Sequence, residues 1–239
     1  MDTITQEKVT DIELQVMQQP LPALYIPVPD EKEGVANYLL LKRAFDVVSA
    51  SVLLLAIFSW LYPLLYLLIR STSKGGALFI QKRVGLNGKV FNCLKFRTMV
   101  INTEADYMEA QLNDMRITRI GKWLRNTYID ELPQLLNVLV GDMSIIGPRP
   151  HMLYHHQKFC DEIPCYNYRH CVKPGITGLS QVKGYHGSVY DPYRIHGRTK
   201  LDLFYVQKIS WKLDLLILIN TPFIVFSLKK NTNNGKRNL

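Results

Sequence analysis

Residues 47–69 read VVSASVLLLAIFSWLYPLLYLLI, 23 positions without a charged side chain, and how this run folds decides what kind of protein the chain is. At helical rise it reaches roughly 35 Å, enough to cross a bilayer. Its flanks argue otherwise. Lys42 and Arg43 precede it, and Arg70, Lys74, Lys82, Arg83, Lys89, Lys95 and Arg97 follow with no acid between them. Positive charge on both sides places both ends in the cytoplasm. One helix satisfies that only by bending back. Pro63 supplies a cause, because it has no N–H to donate and its ring clashes with the carbonyl of Ser59. The reading is a re-entrant membrane helix broken near Ser59 and Pro63, with a straight crossing helix as the alternative that length alone supports.

Downstream the apolar period shortens to two. Leu78 to Val84 and Lys89 to Arg97 read as strands joined around Asn87-Gly88, a favoured hairpin turn, with Lys95 and Arg97 on one face. Helices are expected over Thr103 to Leu112, Glu131 to Leu139 and His151 to Glu162, the last ended by Pro164. Lys173 to Val182 reads as a glycine-rich turn followed by a strand. Trp211 to Leu228 is apolar but broken by Asp214, Asn220 and Pro222, which suits an amphipathic helix lying in the membrane interface; a buried core helix fits equally.

The fold class is therefore α+β: a small domain with a short β-hairpin and several helices, carried on an N-terminal re-entrant helix. The expected segments are an extended tail over 1–40, rich in proline at Pro20, Pro22, Pro27 and Pro29, the re-entrant helix over 41–70, a catalytic domain over 71–230 and a basic polar tail over 231–239. A net charge of +9 implies an acidic partner: nucleic acid, an anionic bilayer or a phosphorylated substrate. Cys93, Cys160, Cys165 and Cys171 lack zinc-site spacing and read as free thiols. His151, His155 and His156, on the helix expected from His151 to Glu162, read as partly exposed surface residues.

Chemistry concentrates between Arg125 and Pro150. Leu132, Leu135, Leu136 and Leu139 recur at helical spacing, which puts Asp130 at the N-cap of a short helix, beside Glu131. Two adjacent carboxylates push their proton affinities apart, so one stays anionic as a nucleophile while the other relays a proton. By itself Asp-Glu-Leu-Pro is also an ordinary helix start. Its neighbours favour the chemical reading. Gly147-Pro148-Arg149-Pro150 brackets one arginine with two prolines, and Arg125 lies five residues before Asp130. A carboxylate pair between arginines suits a phosphoryl substrate. The same acids repel a polyanion, which argues against nucleic acid.

Six motifs occur in order: Lys42-Arg43-Ala-Phe-Asp46 before the apolar run, Lys95-Phe-Arg97-Thr-Met, Asp130-Glu131-Leu-Pro-Gln, Gly141-Asp-Met-Ser, Gly147-Pro-Arg-Pro150 and Pro174-Gly-Ile-Thr-Gly178. Together they resemble the bacterial sugar transferases of the monotopic polyprenol-phosphate phosphoglycosyl transferase superfamily, from about Leu41 to Phe226. The resemblance implies transfer of a phosphosugar from a nucleotide sugar, with UDP usual, to polyprenol phosphate, at the cytoplasmic face of the bacterial inner membrane, as the first membrane step of glycan assembly. It implies Asp130 as nucleophile, Glu131 as its partner in Mg2+ binding and deprotonation, and Lys95, Arg97, Arg125 and Arg149 as phosphate contacts. Homo-oligomers and contacts with other glycan-pathway enzymes are compatible with it. Two departures stand out. The family type has an adjacent Ser-Pro pair where Ser59 and Pro63 are four apart, and usually Ala where Ser180 stands. A non-enzymatic basic membrane module or scaffold is the rival reading, indifferent to Asp130 and Glu131.

Overall fold

The apolar run is helical from Val35 to Thr72, and by length and composition it is a helix able to cross a membrane. In the computed structural model, which describes residues 34–111, 114–185 and 191–233, it comprises α1 (Val35–Leu53), a wider π-helical turn (Leu54–Phe58) and α2 (Ser59–Thr72). Most of the expected tail and the end of the basic tail lie outside the described residues; α1 begins at Val35, inside the expected tail. The irregularity sits one turn before Pro63. Proline at 63 offers no N–H to the Ser59 carbonyl and crowds it, and a widened turn just upstream relieves the strain. Side chains occupy nearby carbonyls: Ser59 Oγ donates to Leu55 O at 2.7 Å and Trp60 Nε1 to Ala56 O at 2.9 Å.

Both ends of this helix are fastened to the same body. At the start, Lys42 Nζ reaches Asp214 Oδ2 at 2.7 Å, and Asp46 Oδ1 accepts from Ile145 N at 2.9 Å and Ser144 Oγ at 3.0 Å. After the end, Arg97 donates to the carbonyls of Ser73, Lys74 and Gly75 at 3.0, 2.7 and 3.3 Å. Between these anchors Val48, Val52, Leu55, Trp60, Leu64 and Leu67 stay exposed.

The hairpin forms as expected. β1 (Leu78–Val84) pairs antiparallel with β2 (Val90–Phe96), Gln81 opposite Cys93, and Asn87 and Gly88 take the positive φ that an Asn-Gly turn demands. The next expectation fails. Residues 103–107 form turns and 108–111 have no regular structure, Leu112 lying outside the described residues; the segment is held by local bonds such as Asn102 Oδ1 accepting from Glu104 N and by Arg116 on Asp114 and Glu104. Such side-chain bonds compete with a helix.

The remaining elements are α3 (Arg119–Thr127), a 3₁₀ turn (Ile129–Glu131), α4 (Gln134–Val140), β3 (Ser144–Ile146), α5 (Leu153–Glu162), a 3₁₀ turn (Tyr166–Cys171), β4 (Gly175–Thr177), α6 (Leu179–Val182), α7 (Pro192–Gln207) and α8 (Trp211–Asn233). Leu179 to Val182, expected to continue a strand, is a helical turn. β3 and β4 pair in parallel, Ser144 beside Gly175. A methyl on Gly147 or Gly175 would overlap the facing backbone, so the two glycines permit this approach. The main core joins Leu135, Val138, Met143, Ile146, Leu201 and Tyr205 to Ala50 of α1; a second joins Leu65 and Ile69 of α2 to Phe96 and Leu124.

Asp214, which seemed to interrupt α8, pins it. Its carboxylate accepts from Lys42, from Tyr38 Oη at 2.6 Å and from Tyr205 Oη at 2.8 Å. The opposite side of α8 exposes Trp211, Leu215, Ile219 and Phe223. Asp214→Leu strips a buried ammonium of its partner and should destabilise the fold by about 3–5 kcal/mol. Denaturant titration of the detergent-solubilised protein measures the loss, and an unchanged midpoint would show that Lys42 needs no partner.

Candidate active site

Thr118 caps the start of α3, its Oγ1 accepting from Gly121 N at 2.9 Å, and Tyr128 caps the end in the left-handed region. The reversed backbone leads into the 3₁₀ turn that carries Ile129, Asp130 and Glu131, and Pro133 then precedes α4. Asp130 is therefore not the N-cap expected of it. Pro133 has no N–H to bond the Ile129 carbonyl four residues back, so the helix over Glu131 to Leu139 is shortened to Gln134–Val140. The dipole of α4 is not the source of Asp130's environment; side chains are.

Glu131 is held from two directions. Lys95 Nζ, from β2, lies 2.8 Å from Oε1. Arg149 approaches with both ends of its fork, Nη2 at 2.5 Å from Oε1 and Nη1 at 3.1 Å from Oε2. Burial alone would raise the proton affinity of this carboxyl, but Arg149 and Lys95 outweigh it and hold Glu131 well below the usual carboxylate range. Asp130 behaves in the opposite way. It is as buried as Glu131, and among the described residues no side chain or backbone group hydrogen-bonds it. Burial pushes its pKa up to about 6; the nearby Lys95 charge offsets this in part and the Glu131 charge adds to it.

Arg125 completes the group. Its Nε donates to Thr98 Oγ1 at 2.7 Å, and its charge acts on Asp130 and Glu131 without a direct ion pair. Three cations thus surround two carboxylates, a balance that favours an incoming anion such as a phosphoryl group.

Of the residues expected to contact phosphate, Lys95, Arg125 and Arg149 converge on the acids and Arg97 does not. β2 ends at Phe96, and the Arg97 side chain turns to the Ser73–Gly75 carbonyls, where it clamps the end of the membrane helix. Ser59 and Pro63 lie in that helix, and no contact between them and the acids is seen among the described residues. Two of the three helix histidines are also not where expected: His151 and His155 are buried while His156 is half-buried, and His151 lies between the Tyr166 hydroxyl and Arg198. Residues with no earlier reading support the site. Thr98 orients Arg125, and Asn137 ties α4 to β2, accepting from Leu94 N at 2.9 Å and donating to Asn92 O at 2.8 Å. Ser180, where Ala is usual, donates to Asp202 at 2.8 Å.

This ordered set of motifs, folded around a paired carboxylate site, defines a class, and residues 37–228 match the family described as Bacterial sugar transferase. The chain belongs to that family. It is 46% identical over 181 residues to the UDP-glucose:undecaprenyl-phosphate glucose-1-phosphate transferase of Caulobacter vibrioides, covering 75% of this chain and 67% of the relative. It is 40% identical over 202 residues to the protein of the same name from Klebsiella pneumoniae, covering 83% of this chain and 42% of the relative. The exopolysaccharide production protein PSS of Rhizobium leguminosarum bv. phaseoli is 42% identical over 193 residues, 77% of this chain and 94% of that protein. The chain thus spans less than half the length of some of the curated relatives it matches.

The raised pKa of Asp130 has a consequence for stability. Its folded value, about 6, exceeds an unfolded value near 3.9, so the stability tied to this carboxyl is fully present below about pH 4 and lost as pH rises through 6. Asp130→Asn should therefore be more stable than the native protein at pH 8, by on the order of 2 kcal/mol, with the advantage shrinking toward pH 4. Thermal melts across that range measure it; a variant less stable at pH 8 would show that the charged carboxylate is favourably solvated.

Proposed function

We propose that the chain transfers a phosphosugar from a nucleoside diphosphate sugar, a UDP-sugar by its likeness to the relatives, to undecaprenyl or a similar polyprenol phosphate. The observation that carries this reading is the contrast within the acid pair. Asp130 is buried, unbonded and surrounded by cations, as a nucleophile must be, while Glu131 is saturated by Lys95 and Arg149.

In the first step an Asp130 oxygen attacks the phosphorus bearing the sugar, the bond to the nucleoside monophosphate breaks, and an aspartyl phosphosugar forms. In the second, an oxygen of polyprenol phosphate attacks the same phosphorus and returns the Asp130 carboxylate. Arg125, whose terminal nitrogens are not committed to Thr98, takes the charge of the transferring oxygens. Glu131 has no proton-accepting role in this proposal, because a carboxyl held so strongly ionised is a weak base. The second pKa of a phosphate monoester is near 6, so the acceptor needs little help in losing its proton. Glu131 instead fixes Lys95 and Arg149.

Mg2+ is the cofactor in this proposal, and the donor set fits it: Asp130 offers a hard carboxylate that no hydrogen bond occupies, with Glu131 beside it, and among the described residues no group of three or more metal-ligating side chains converges. Mg2+ usually takes one or two carboxylates and draws its other ligands from phosphate and water. When bound it neutralises diphosphate charge. Both Glu131 oxygens already serve Lys95 and Arg149, so the protein's share of such a site is small.

The membrane arrangement is part of the reading. The helix over Val35–Thr72 is fastened to the catalytic body at both ends and exposes apolar side chains between them, which supports a re-entrant helix over a crossing one. The exposed ridge Trp211, Leu215, Ile219 and Phe223 supports α8 as an interfacial helix. The catalyst then sits at the cytoplasmic face of the bacterial inner membrane, where a soluble donor meets a lipid acceptor.

Nucleoside monophosphate release from UDP-sugars, assayed with and without polyprenol phosphate, tests the reading. Native protein should release it and retain labelled phosphosugar covalently when acceptor is withheld; Asp130→Asn should do neither, and turnover by that variant would refute the covalent step. The kcat/KM of donor turnover should fall as pH drops below about 6, because the protonated carboxyl is not a nucleophile. A profile flat to pH 4.5 would place the nucleophile elsewhere.

A further inference from the structure

The Arg149 fork on Glu131 is only as well placed as the backbone that carries it, and that backbone is held by a buried ion pair from two other elements. Arg169, in the 3₁₀ turn Tyr166–Cys171, and Asp202, on α7, are 2% and 1% exposed. Arg169 Nη2 donates to Asp202 Oδ2 at 2.5 Å and to the Arg149 carbonyl at 2.7 Å; its Nε reaches the same Asp202 oxygen at 3.1 Å. Asp202 Oδ1 accepts from Ser180 Oγ at 2.8 Å, so the carboxylate is fixed from both sides. The neighbouring residues are held in the same way: Arg83 Nη1 donates to Pro150 O at 2.5 Å, and Arg198 Nη1 meets His151 Nε2 at 3.2 Å.

We propose that Arg169 and Asp202 are a positioning pair that fixes Arg149 on Glu131. The need for such a pair follows from the flanking prolines. Pro148 and Pro150 lack N–H groups, so this segment cannot be tied down by its own backbone donors at those positions and relies on its carbonyls. A guanidinium with five N–H donors can serve a carboxylate and a carbonyl together; an ammonium on a shorter reach cannot do so with the same geometry. The pair touches no reacting atom. It acts through Arg149, and its part in turnover rests on the transferase reading above.

Arg169→Lys keeps a positive charge facing Asp202, and Asp202→Asn keeps its shape. In the full chain, modification of Arg149 by phenylglyoxal, followed by peptide mass spectrometry, reads how firmly Glu131 holds the fork without any turnover. Modification should speed up about tenfold in either variant, as expected when a displacement of about 1 Å undoes a bidentate contact; a native rate in both would overturn the proposal whatever the enzyme's reaction. Should Asp202→Asn fail to fold, Arg169→Lys alone decides. In nucleoside monophosphate release, Arg169→Lys should cost about tenfold in the native background and less than about twofold when Arg149→Lys is already present. Losses that simply multiply would show that Arg169 does not act through Arg149, and would leave the transferase reading untouched.

Discussion

One carboxylate brings the catalytic segments together. Glu131 accepts from Lys95 on β2 and from both ends of the Arg149 fork beyond β3, so three segments far apart in the chain meet at its two oxygens. Burying such charges is costly unless their hydrogen-bonding capacity is nearly saturated, and losing one partner leaves an uncompensated charge in a poor solvent. Here the geometry is close to saturated. The same saturation separates the chemistry of two adjacent acids: Glu131 stays ionised because its partners outweigh burial, and Asp130, one residue away without a hydrogen bond, is governed by burial instead. Their difference comes from bonding rather than depth, since both are equally buried.

The membrane helix obeys a related constraint. A long apolar helix has no reason of its own to stay in register with a polar domain. Lys42, Arg43 and Asp46 give α1 that reason. Arg43 donates to the Val138 and Leu139 carbonyls at the end of α4, and Asp46 takes the Ile145 amide at β3. α4 follows the acid-bearing turn, and β3 precedes Arg149. The apolar helix is thus tied to the two segments that flank the site.

Much of this was legible in the residues. The apolar run, the Asn-Gly hairpin, the helix ending before Pro164 and the meeting of Lys95, Arg125 and Arg149 on Asp130 and Glu131 all follow from local pattern or motif. What was not legible depends on contacts between distant residues. The fate of Arg97 turned on where β2 stopped. The helix expected over Thr103 to Leu112 lost to side-chain bonds from Asn102 and Arg116, and the N-cap assigned to Asp130 was lost because Pro133 could not extend α4 backwards. Asp214 read as a break in an apolar stretch because its three partners, Tyr38, Lys42 and Tyr205, come from elsewhere in the chain. Thr98, Asn137 and Asp202 are common polar residues without spacing to mark them.

The basic composition also takes on a different meaning. A charge of +9 reads as a surface waiting for an acidic partner, yet several of the arginines are occupied internally. Arg43, Arg83, Arg97 and Arg169 each donate to backbone carbonyls, at Val138 and Leu139, Pro150, Ser73 to Gly75, and Arg149. These carbonyls lie at a helix end, after a helix or beside prolines, where the backbone lacks donors of its own. Short elements joined by irregular turns leave many such acceptors, and a guanidinium satisfies several at once. Beside the acid pair the positive charge comes from Lys95, Arg125 and Arg149. Arginines elsewhere, by closing the turns, keep those three in place.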